Sequence, residues 1–170
     1  MNEYNLSPEE RATLIKLLRR VDPKKPFGTE LFDAIAAVSV NVAFEALTLR
    51  QSNKGLEVFL TRRLETDKAY PGMWHSPGTV LRPGEEIADA FIRLEEREFK
   101  SKLESREFIG IHNHLNEARG HFFAHLYLCK LNSPSDNWFS VDNLPQPMVE
   151  HHEIILIPSA VKAFKERQAK

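Results

Sequence analysis

The chain has 170 residues, and its 23 Lys and Arg residues nearly balance its 24 Asp and Glu residues, leaving a formal net charge of -1 at pH 7. This length fits one compact domain, and a hydrophobic content of 42% is sufficient to form a core. Because the chain lacks the basic excess that is typical of nucleic-acid binders, we expect no nucleic-acid partner.

The cysteine content and the apolar stretches indicate where the protein resides. Cys129 is the only cysteine, so an intrachain disulfide and a cysteine-based zinc site are excluded. The longest apolar-rich stretch, residues 34–49, is interrupted by Ser39, Asn41 and Glu45, whereas a membrane span needs about 20 uninterrupted residues. The polar N-terminus does not resemble a signal peptide. We therefore expect a soluble, cytoplasmic protein with no membrane partner.

The first predicted element is a helix that begins at Ser7. Ser7 can cap this helix, Pro8 suits its first position, and Glu10 completes a capping box. The helix carries an apolar stripe, which consists of Leu14, Ile15, Leu17, Leu18 and Val21. We predict that residues 1–28 form a helical extension, that residues 29–170 form the main domain, and that the extension contributes to a homodimer interface.

The remaining chain alternates between strand-like and helix-like patterns. Apolar and polar residues alternate with a period of two from Val38 onward, which is typical of a strand. The predicted strands cover residues 38–49, 56–64, 108–115, 121–131 and 138–141. A polar loop over 65–86 precedes a helix over 87–103, and a C-terminal helical segment over 150–165 is broken at Pro158. This order predicts a mixed α/β or α+β sandwich.

The predicted helix over 87–103 carries a carboxylate on its apolar stripe. The stripe consists of Ile87, Phe91 and Leu94, and Glu98 continues its spacing. A carboxylate on such a stripe is costly unless it is paired or metal-bound, so Glu98 is a candidate ligand for Mg2+ or Mn2+. Pairing with Arg93 at the helix end is the alternative. Two Pro-Gly turns in the preceding loop, at Pro77-Gly78 and Pro83-Gly84, fix carbonyls that can act as further ligands.

The segment that begins at Thr79 resembles a Nudix box. Glu85 follows Thr79 after five residues and Arg93 follows after seven more, which is the spacing of that family. Glu98 falls on the last Glu of the family's Glu-Glu pair. The box is degenerate, because Thr79 replaces its leading Gly and three further positions also differ. Those positions are Leu94 and Arg97, where the family has Glu, and Lys100, where it has Gly.

Flanking motifs extend the resemblance over about residues 38–168. Trp74-x-x-Pro77-Gly78 precedes the box, and Trp138-Phe139-x-Val141-x-x-Leu144 is similar to the family's late strand and turn. The helix pattern Phe91-x-Arg93-Leu94-x-x-x-Glu98 is similar to that of the GDP-mannose mannosyl hydrolase subgroup. The resemblance implies an α/β/α sandwich with a mixed sheet.

The resemblance also implies a function. It implies Mg2+- or Mn2+-dependent hydrolysis of a nucleoside diphosphate linked to another moiety, such as the nucleotide sugar GDP-mannose. Glu98 and a backbone carbonyl at Gly78–Thr79 would hold the cation, Arg93 would fix Glu85 and the loop, and Arg63 would contact the diphosphate. A surface ion pair of Arg63 with Glu65 or Asp67 is the alternative. The alternative function is a catalytically impaired nucleotide-binding or regulatory module of the same fold.

The sequence does not decide which residue is the general base or which strand face binds the substrate. The subgroup has a Gln-His pair before its late Trp, whereas residues 132–137 contain no His. The candidate bases are therefore Asp136, His114, His125 and His152. Loss of that His favours attack at phosphorus over attack at the sugar carbon, since attack at phosphorus depends more on metal charge. A strand face of His121, Phe123, His125 and Tyr127 is either a wall that binds the ligand through Phe123 and Tyr127 or a polar edge that faces solvent.

Overall fold

The computed structural model describes residues 5–131 and 136–169. Its helices are α1 Pro8–Leu18, α2 Thr29–Ala36, α3 Ile87–Leu94 and α4 Ile157–Gln168. Its strands are β1 Val40–Ser52, β2 Gly55–Phe59, β3 Thr61–Arg62, β4 Trp74–His75, β5 Gly78–Val80, β6 Leu103–Glu117, β7 Gly120–Leu131 and β8 Trp138–Ser140. Two π-helical segments adjoin helices: Glu95–Phe99 continues α3, and His152–Leu156 leads into α4.

The main sheet is mixed, with the strand order β6-β7-β1-β2-β8. β1 and β7 run parallel, whereas the other pairs are antiparallel. β5 pairs with β1 at residues 43–45, and β2 pairs with β1 at residues 49–52 along the same edge. β3 and β4 form a separate two-stranded sheet.

The helices α3 and α4 pack on opposite faces of the main sheet. Phe91 and Leu94 of α3 pack in one core cluster with Phe44 of β1, whereas Ile157 of α4 packs in a second cluster with Leu47 of β1. Side chains on both faces of β1 are therefore buried. This arrangement confirms the predicted α/β/α sandwich with a mixed sheet.

The strand β1 begins two residues later than the period-two pattern predicts. Val38 lies before the strand and is 86% exposed. The pattern also missed α2, whose eight residues follow Gly28, a residue with a φ of 76°. An eight-residue helix gives only about two turns of periodicity, so its apolar pattern merges with that of the strand that follows.

The N-terminal helix forms with the capping box that the sequence predicts. The Ser7 hydroxyl accepts from the Glu10 backbone N–H at 3.2 Å, and the Glu10 carboxylate accepts from the Ser7 backbone N–H at 2.8 Å. No residue of α1 is buried in the part of the chain that the structure describes, and its exposed apolar residues are Leu14, Ile15, Leu17 and Leu18. No described helix is both long and apolar enough to span a membrane.

The helix that carries Arg93, α3, is shorter than predicted and continues as a π-helical segment; we call the two together the box helix. α3 ends at Leu94, and the π-helical segment stops at Phe99. Lys100 follows with a φ of 51°, in the left-handed region that L side chains rarely adopt. The resemblance to the Nudix box implies a Gly at this position, and a left-handed residue at a helix end is the usual reason for Gly there.

Candidate functional site

A half-buried ion pair fixes the loop over residues 79–85 to α3. The Arg93 guanidinium donates to both carboxylate oxygens of Glu85, at 2.9 and 2.8 Å, and also to the carbonyl of Val80 at 2.9 Å and to the hydroxyl of Thr79. The hydrogen bonds from Arg93 lower the pKa of Glu85. A bidentate pair of this kind fixes orientation as well as charge, so residues 79–85 have a defined position relative to α3.

Gly78 lies against the edge of the central strand. The backbone N–H of Ala46 donates to the carbonyl of Pro77, and that of Leu81 donates to the carbonyl of Val42, each at 2.9 Å. Facing residues of two antiparallel strands alternate between hydrogen-bonded and non-hydrogen-bonded pairs. Gly78, which faces Glu45 in the register, is therefore in a non-bonded pair. Its carbonyl is not used by β1 and remains available as a ligand.

Glu45 is a site residue that the sequence analysis did not single out. Its Oε2 atom is buried and has no hydrogen-bond partner among the described residues. A Cβ built on Gly78 would lie 2.4 Å from this oxygen, so any side chain at position 78 would displace the carboxylate. Burial raises the pKa of Glu45 to about 8, with Arg63 opposing and Glu98 adding to the shift. A charge in the middle of an apolar strand was the available signal.

Glu98 extends from the π-helical segment towards the small sheet. It is half-buried, and its Oε2 accepts from the hydroxyl of Thr61 in β3 at 3.1 Å. The alternative partner, Arg93, instead binds Glu85. Glu98 therefore continues the direction of the buried stripe without forming the helix-end pair with Arg93.

The donors around Gly78 fit a hard cation. Within residues 5–131 and 136–169, no three His, Cys, Asp or Glu side chains are arranged as a metal site. Glu45 and Glu98 nevertheless interact electrostatically, and one buried carboxylate oxygen lacks a partner. Carboxylate and carbonyl oxygens are the ligands that Mg2+ and Mn2+ prefer. Glu45, Glu98 and the Gly78 carbonyl are therefore chemically suited to hold one such ion.

The Arg63 guanidinium is held by an acidic partner. It donates to Asp67 at 2.8 Å, and Arg119 donates to the same carboxylate at 3.1 Å. Burial acts to raise the pKa of Asp67, but the hydrogen bonds from Arg63 and two backbone N–H groups outweigh it, so the net shift is downward. Of the two predicted partners, Asp67 is the one observed, whereas Glu65 pairs with Arg62.

Several histidines form a row beside this site. Successive ring centroids lie 5.5, 4.2, 4.4 and 5.9 Å apart along the order His112, His114, His151, His152 and His75. Burial lowers the pKa of His114, and it lowers that of His151 to about 3. The imidazoles of His114 and His151 are therefore neutral at pH 7. The structure brings His114 and His152, two of the candidate bases, into the same row.

The third histidine candidate lies on the other side of the sheet. His114 faces Phe122 in the register of β6 and β7, and Phe122 belongs to the core cluster under α4. His125 and Tyr127 have the opposite parity and pack on Phe44, with ring centroids 5.6 and 6.0 Å away. The face that contains Phe123, His125 and Tyr127 is therefore on the α3 side, separated by the sheet from Glu45 and the histidine row.

The stretch before Trp138 is described only in part. Residues 132–135 lie outside the described residues, whereas Asp136, the remaining candidate base, is an exposed residue of the bend that precedes β8. Among the described residues, the side-chain hydrogen bond of Glu98 comes from Thr61 and not from Asp136.

Comparisons with known proteins identify the family and the fold. A model of the NUDIX domain family matches residues 40–157. No curated protein matches the sequence. Among solved structures, Shewanella oneidensis NrtR has a TM-score of 0.62 at 19% identity, over 75% of this chain and 64% of that one. An ADP-ribose pyrophosphatase from Streptococcus suis has a TM-score of 0.53 at 16% identity, over 74% and 92% of the two chains. At these identities the likeness establishes the fold.

One similar structure corrects an expectation drawn from charge. NrtR complexed with a 27mer DNA has a TM-score of 0.59 at 19% identity, over 74% of this chain and 63% of that one. The exclusion of a nucleic-acid partner is therefore wrong, because a chain with this fold is found on DNA. Net charge sums over the whole surface, whereas DNA contact depends on local groups of basic residues. This chain spans under two thirds of the NrtR chain.

Proposed function

This chain belongs to the NUDIX domain family, and from that premise we propose that it is a divalent-cation-dependent hydrolase. Its substrate is a nucleoside diphosphate linked to another moiety, in particular a nucleotide sugar such as ADP-ribose or GDP-mannose. The observation that carries the proposal is the buried Oε2 atom of Glu45, which has no partner among the described residues and lies against Gly78. Ionisation of this buried carboxyl without a partner is costly, which is why burial raises its pKa to about 8, and a bound cation would offset that cost.

The proposed cation site has three contributors. Glu98 and Glu45 supply carboxylates, and Gly78 supplies a backbone carbonyl that β1 does not use. Thr79 serves through its hydroxyl, which accepts from Arg93 and so links the loop to the helix. When bound, Mg2+ or Mn2+ would offset negative charge on the diphosphate as the leaving group departs. Glu45 thereby replaces a carboxylate that the degenerate helix lacks.

The proposed reaction is attack of water at phosphorus. A water oxygen bonds to one phosphorus of the diphosphate, the bridging P–O bond breaks, and the water gives up a proton to a base. The products are a nucleoside monophosphate and a sugar phosphate. This route is preferred to attack at the sugar carbon because it relies mainly on cation charge and positioning.

His114 is the proposed base among the sequence candidates. The Nδ1 atom of His152 already accepts hydrogen bonds from Ser76, and the side chain is buried. His125 lies on the α3 side of the sheet. His114 is half-exposed and neutral, because burial and His112 lower its pKa, and a neutral imidazole can accept a proton.

The substrate contacts differ from the wall that the sequence suggested. We leave Phe123 and Tyr127 outside the proposed site, since they lie on the α3 side. Arg63 remains a proposed diphosphate contact. Its guanidinium is already positioned by Asp67 and by the ring of Tyr70, whose centroid is 5.7 Å away.

A second candidate function is a nucleotide-binding or regulatory module without turnover. It is favoured by the two positions where the family has Glu and this chain has Leu94 and Arg97. Leu94 is buried in the core and Arg97 is exposed, and neither supplies a carboxylate ligand. The complex of NrtR with DNA supports the same alternative. Binding of a nucleotide sugar without release of products distinguishes this module from the enzyme.

A substrate panel tests the proposal. ADP-ribose and GDP-mannose are incubated with Mg2+ or Mn2+ and the wild type, Glu98→Gln or the matched control Glu96→Gln, whose side chain is exposed. We expect hydrolysis by the wild type and the control, and a loss of about a hundredfold or more in Glu98→Gln. Reaction in 18O-labelled water locates the bond. Label in a phosphate product supports attack at phosphorus, whereas label in free sugar contradicts it. Absence of turnover by the wild type and by both variants contradicts the proposed enzymatic activity.

A further inference from the structure

Thr61 and His75 are held side by side behind Glu98. They face each other in the register of β3 and β4, and the Thr61 hydroxyl lies 3.1 Å from the Nε2 atom of His75. The same hydroxyl lies 3.1 Å from Oε2 of Glu98. His75 is 7% exposed, and Thr61 is half-buried. A continuous chain of contacts therefore runs from the buried imidazole to the carboxylate.

The hydrogen positions in this chain follow from the chemistry of its ends. The Nδ1 atom of His75 lies 2.8 Å from the backbone carbonyl of Ser76. A carbonyl oxygen only accepts, so Nδ1 carries the hydrogen. In a neutral imidazole the other nitrogen is then an acceptor. Nε2 of His75 therefore faces Thr61 as an acceptor.

The Thr61 hydroxyl has one hydrogen for two acceptors. Glu98 presents a carboxylate oxygen, and His75 presents Nε2, at equal distances. A hydrogen bond to an ionised acceptor is the stronger of the two, so the hydroxyl favours Glu98 while that carboxylate holds no cation. A cation on Glu98 withdraws charge from the oxygen and removes this preference. The hydroxyl then has a ready second acceptor in His75.

We propose that Thr61 is a positioning residue for Glu98, and that its hydroxyl turns from Glu98 to His75 when Glu98 ligates a cation. The hydroxyl orients the carboxylate before the ion arrives. His75 then accepts the displaced hydrogen bond, so that ion binding leaves no buried hydroxyl hydrogen without an acceptor. This inference rests on the proposed function, because it assigns Glu98 to a cation. It adds two residues that do not touch the ion.

The test compares one substitution that removes the Thr61 hydroxyl with one that keeps it. Thr61→Val keeps the branched shape and removes the hydroxyl, whereas Thr61→Ser keeps the hydroxyl. Calorimetric titration with Mn2+ should show about tenfold weaker binding in Thr61→Val and affinity within about twofold of the wild type in Thr61→Ser. Thermal unfolding of each variant checks the fold, and Thr61→Ala replaces the valine variant if that variant does not fold.

A second readout follows the imidazole without using activity. In protein labelled with 15N at histidine, addition of Mg2+ should shift the Nε2 resonance of His75 in the wild type and leave it unchanged in Thr61→Val. Equal Mn2+ affinity in wild type and Thr61→Val overturns the positioning role alone. Absence of Mn2+ binding by the wild type overturns both this inference and the cation dependence of the proposed function.

Discussion

Ser76 and His152 lie 76 positions apart in the chain, yet the Oγ of Ser76 is 2.6 Å from the Nδ1 of His152. The backbone N–H of Ser76 donates to the same nitrogen at 3.2 Å. A backbone N–H only donates, so Nδ1 is an acceptor and the hydrogen of the neutral ring is on Nε2. This contact attaches the loop before the box to the π-helical segment that leads into α4.

Removal of the His152 ring should destabilise the fold. His152→Ala leaves the backbone N–H of the buried residue Ser76 without an acceptor and opens a cavity, which we expect to lower the free energy of unfolding by about 3 kcal/mol. His152→Asn retains an acceptor close to the position of Nδ1 and should lose roughly half as much. Urea unfolding measures both variants. Equal losses in alanine and asparagine would show that packing rather than the acceptor matters.

Acidification should destabilise the protein below about pH 6.5. Burial lowers the pKa of His75 to about 4 and that of His151 to about 3. Imidazoles in the unfolded chain titrate near about pH 6.5, so below that pH the unfolded state binds more protons. The free energy of unfolding then falls with pH, by at most about 1.4 kcal/mol per pH unit for each group.

The acid effect is measured by urea unfolding between pH 7 and pH 4. The raised pKa of Glu45, about 8, acts in the opposite direction over the same interval, because the folded state then binds the additional proton. The Glu45→Gln background removes this opposing contribution. In that background His151→Asn should flatten the dependence, and an unchanged slope would contradict the assignment to the histidine row.

Glu45→Gln should affect stability and ion binding with opposite signs. The metal-free protein should become more stable by about 1–3 kcal/mol at pH 7, because an ionisable group with an unpaired buried oxygen is removed. Mn2+ affinity should fall by about tenfold, since one carboxylate ligand is lost. Thermal unfolding in EDTA and Mn2+ titration provide the two measurements. A variant that is less stable without metal, or that binds Mn2+ as well as the wild type, contradicts the role of Glu45.

Lys100→Gly should stabilise the protein by about 1 kcal/mol. Lys100 has a φ of 51° at the end of the box helix, and a residue with a Cβ pays about that amount in this region relative to Gly. The hydrogen bond from its Nζ to the carbonyl of Glu96, 3.0 Å long, is exposed and offsets little of the gain. Lys102→Gly removes the same charge nearby and is the control. Urea unfolding should rank the lysine-100 variant above both the wild type and the control.

The sequence patterns predicted the elements that depend on local spacing. The cap at Ser7 and the burial of Phe91 and Leu94 follow from residues within a few positions of one another. The break predicted at Pro158 is wrong, because Pro158 lies in the first turn of α4 and the chain is helical on both sides of it. The helix α2 was not predicted, because it is too short to show a distinct helical period of apolar residues. The end of the box helix depends on the backbone conformation of one residue, which its side chain does not reveal.

The residues of the candidate site could not all be predicted from local spacing, because the site depends on strand register. Glu45 joins the site only because β5 places Gly78 opposite it, and Thr61 joins because β4 places His75 opposite it. The division of His114 and His125 between two faces depends in the same way on the pairing of β6 with β7. Pairings between distant segments are not encoded in local periodicity, so these residues required the structure.

The strand β1 has two partners, β5 and β2, in succession along one edge. β5 ends its pairing at residue 45 and β2 begins its own at residue 49, and the chain between those strands, residues 60–77, leaves the main sheet. Residues 63–73 of this segment lie between β3 and β4 and form a loop, and loops are where proteins tolerate insertions. A change in its length leaves both registers, and thus the carboxylate on β1, in place. The position of Glu45 on the central strand therefore does not depend on the length of this loop.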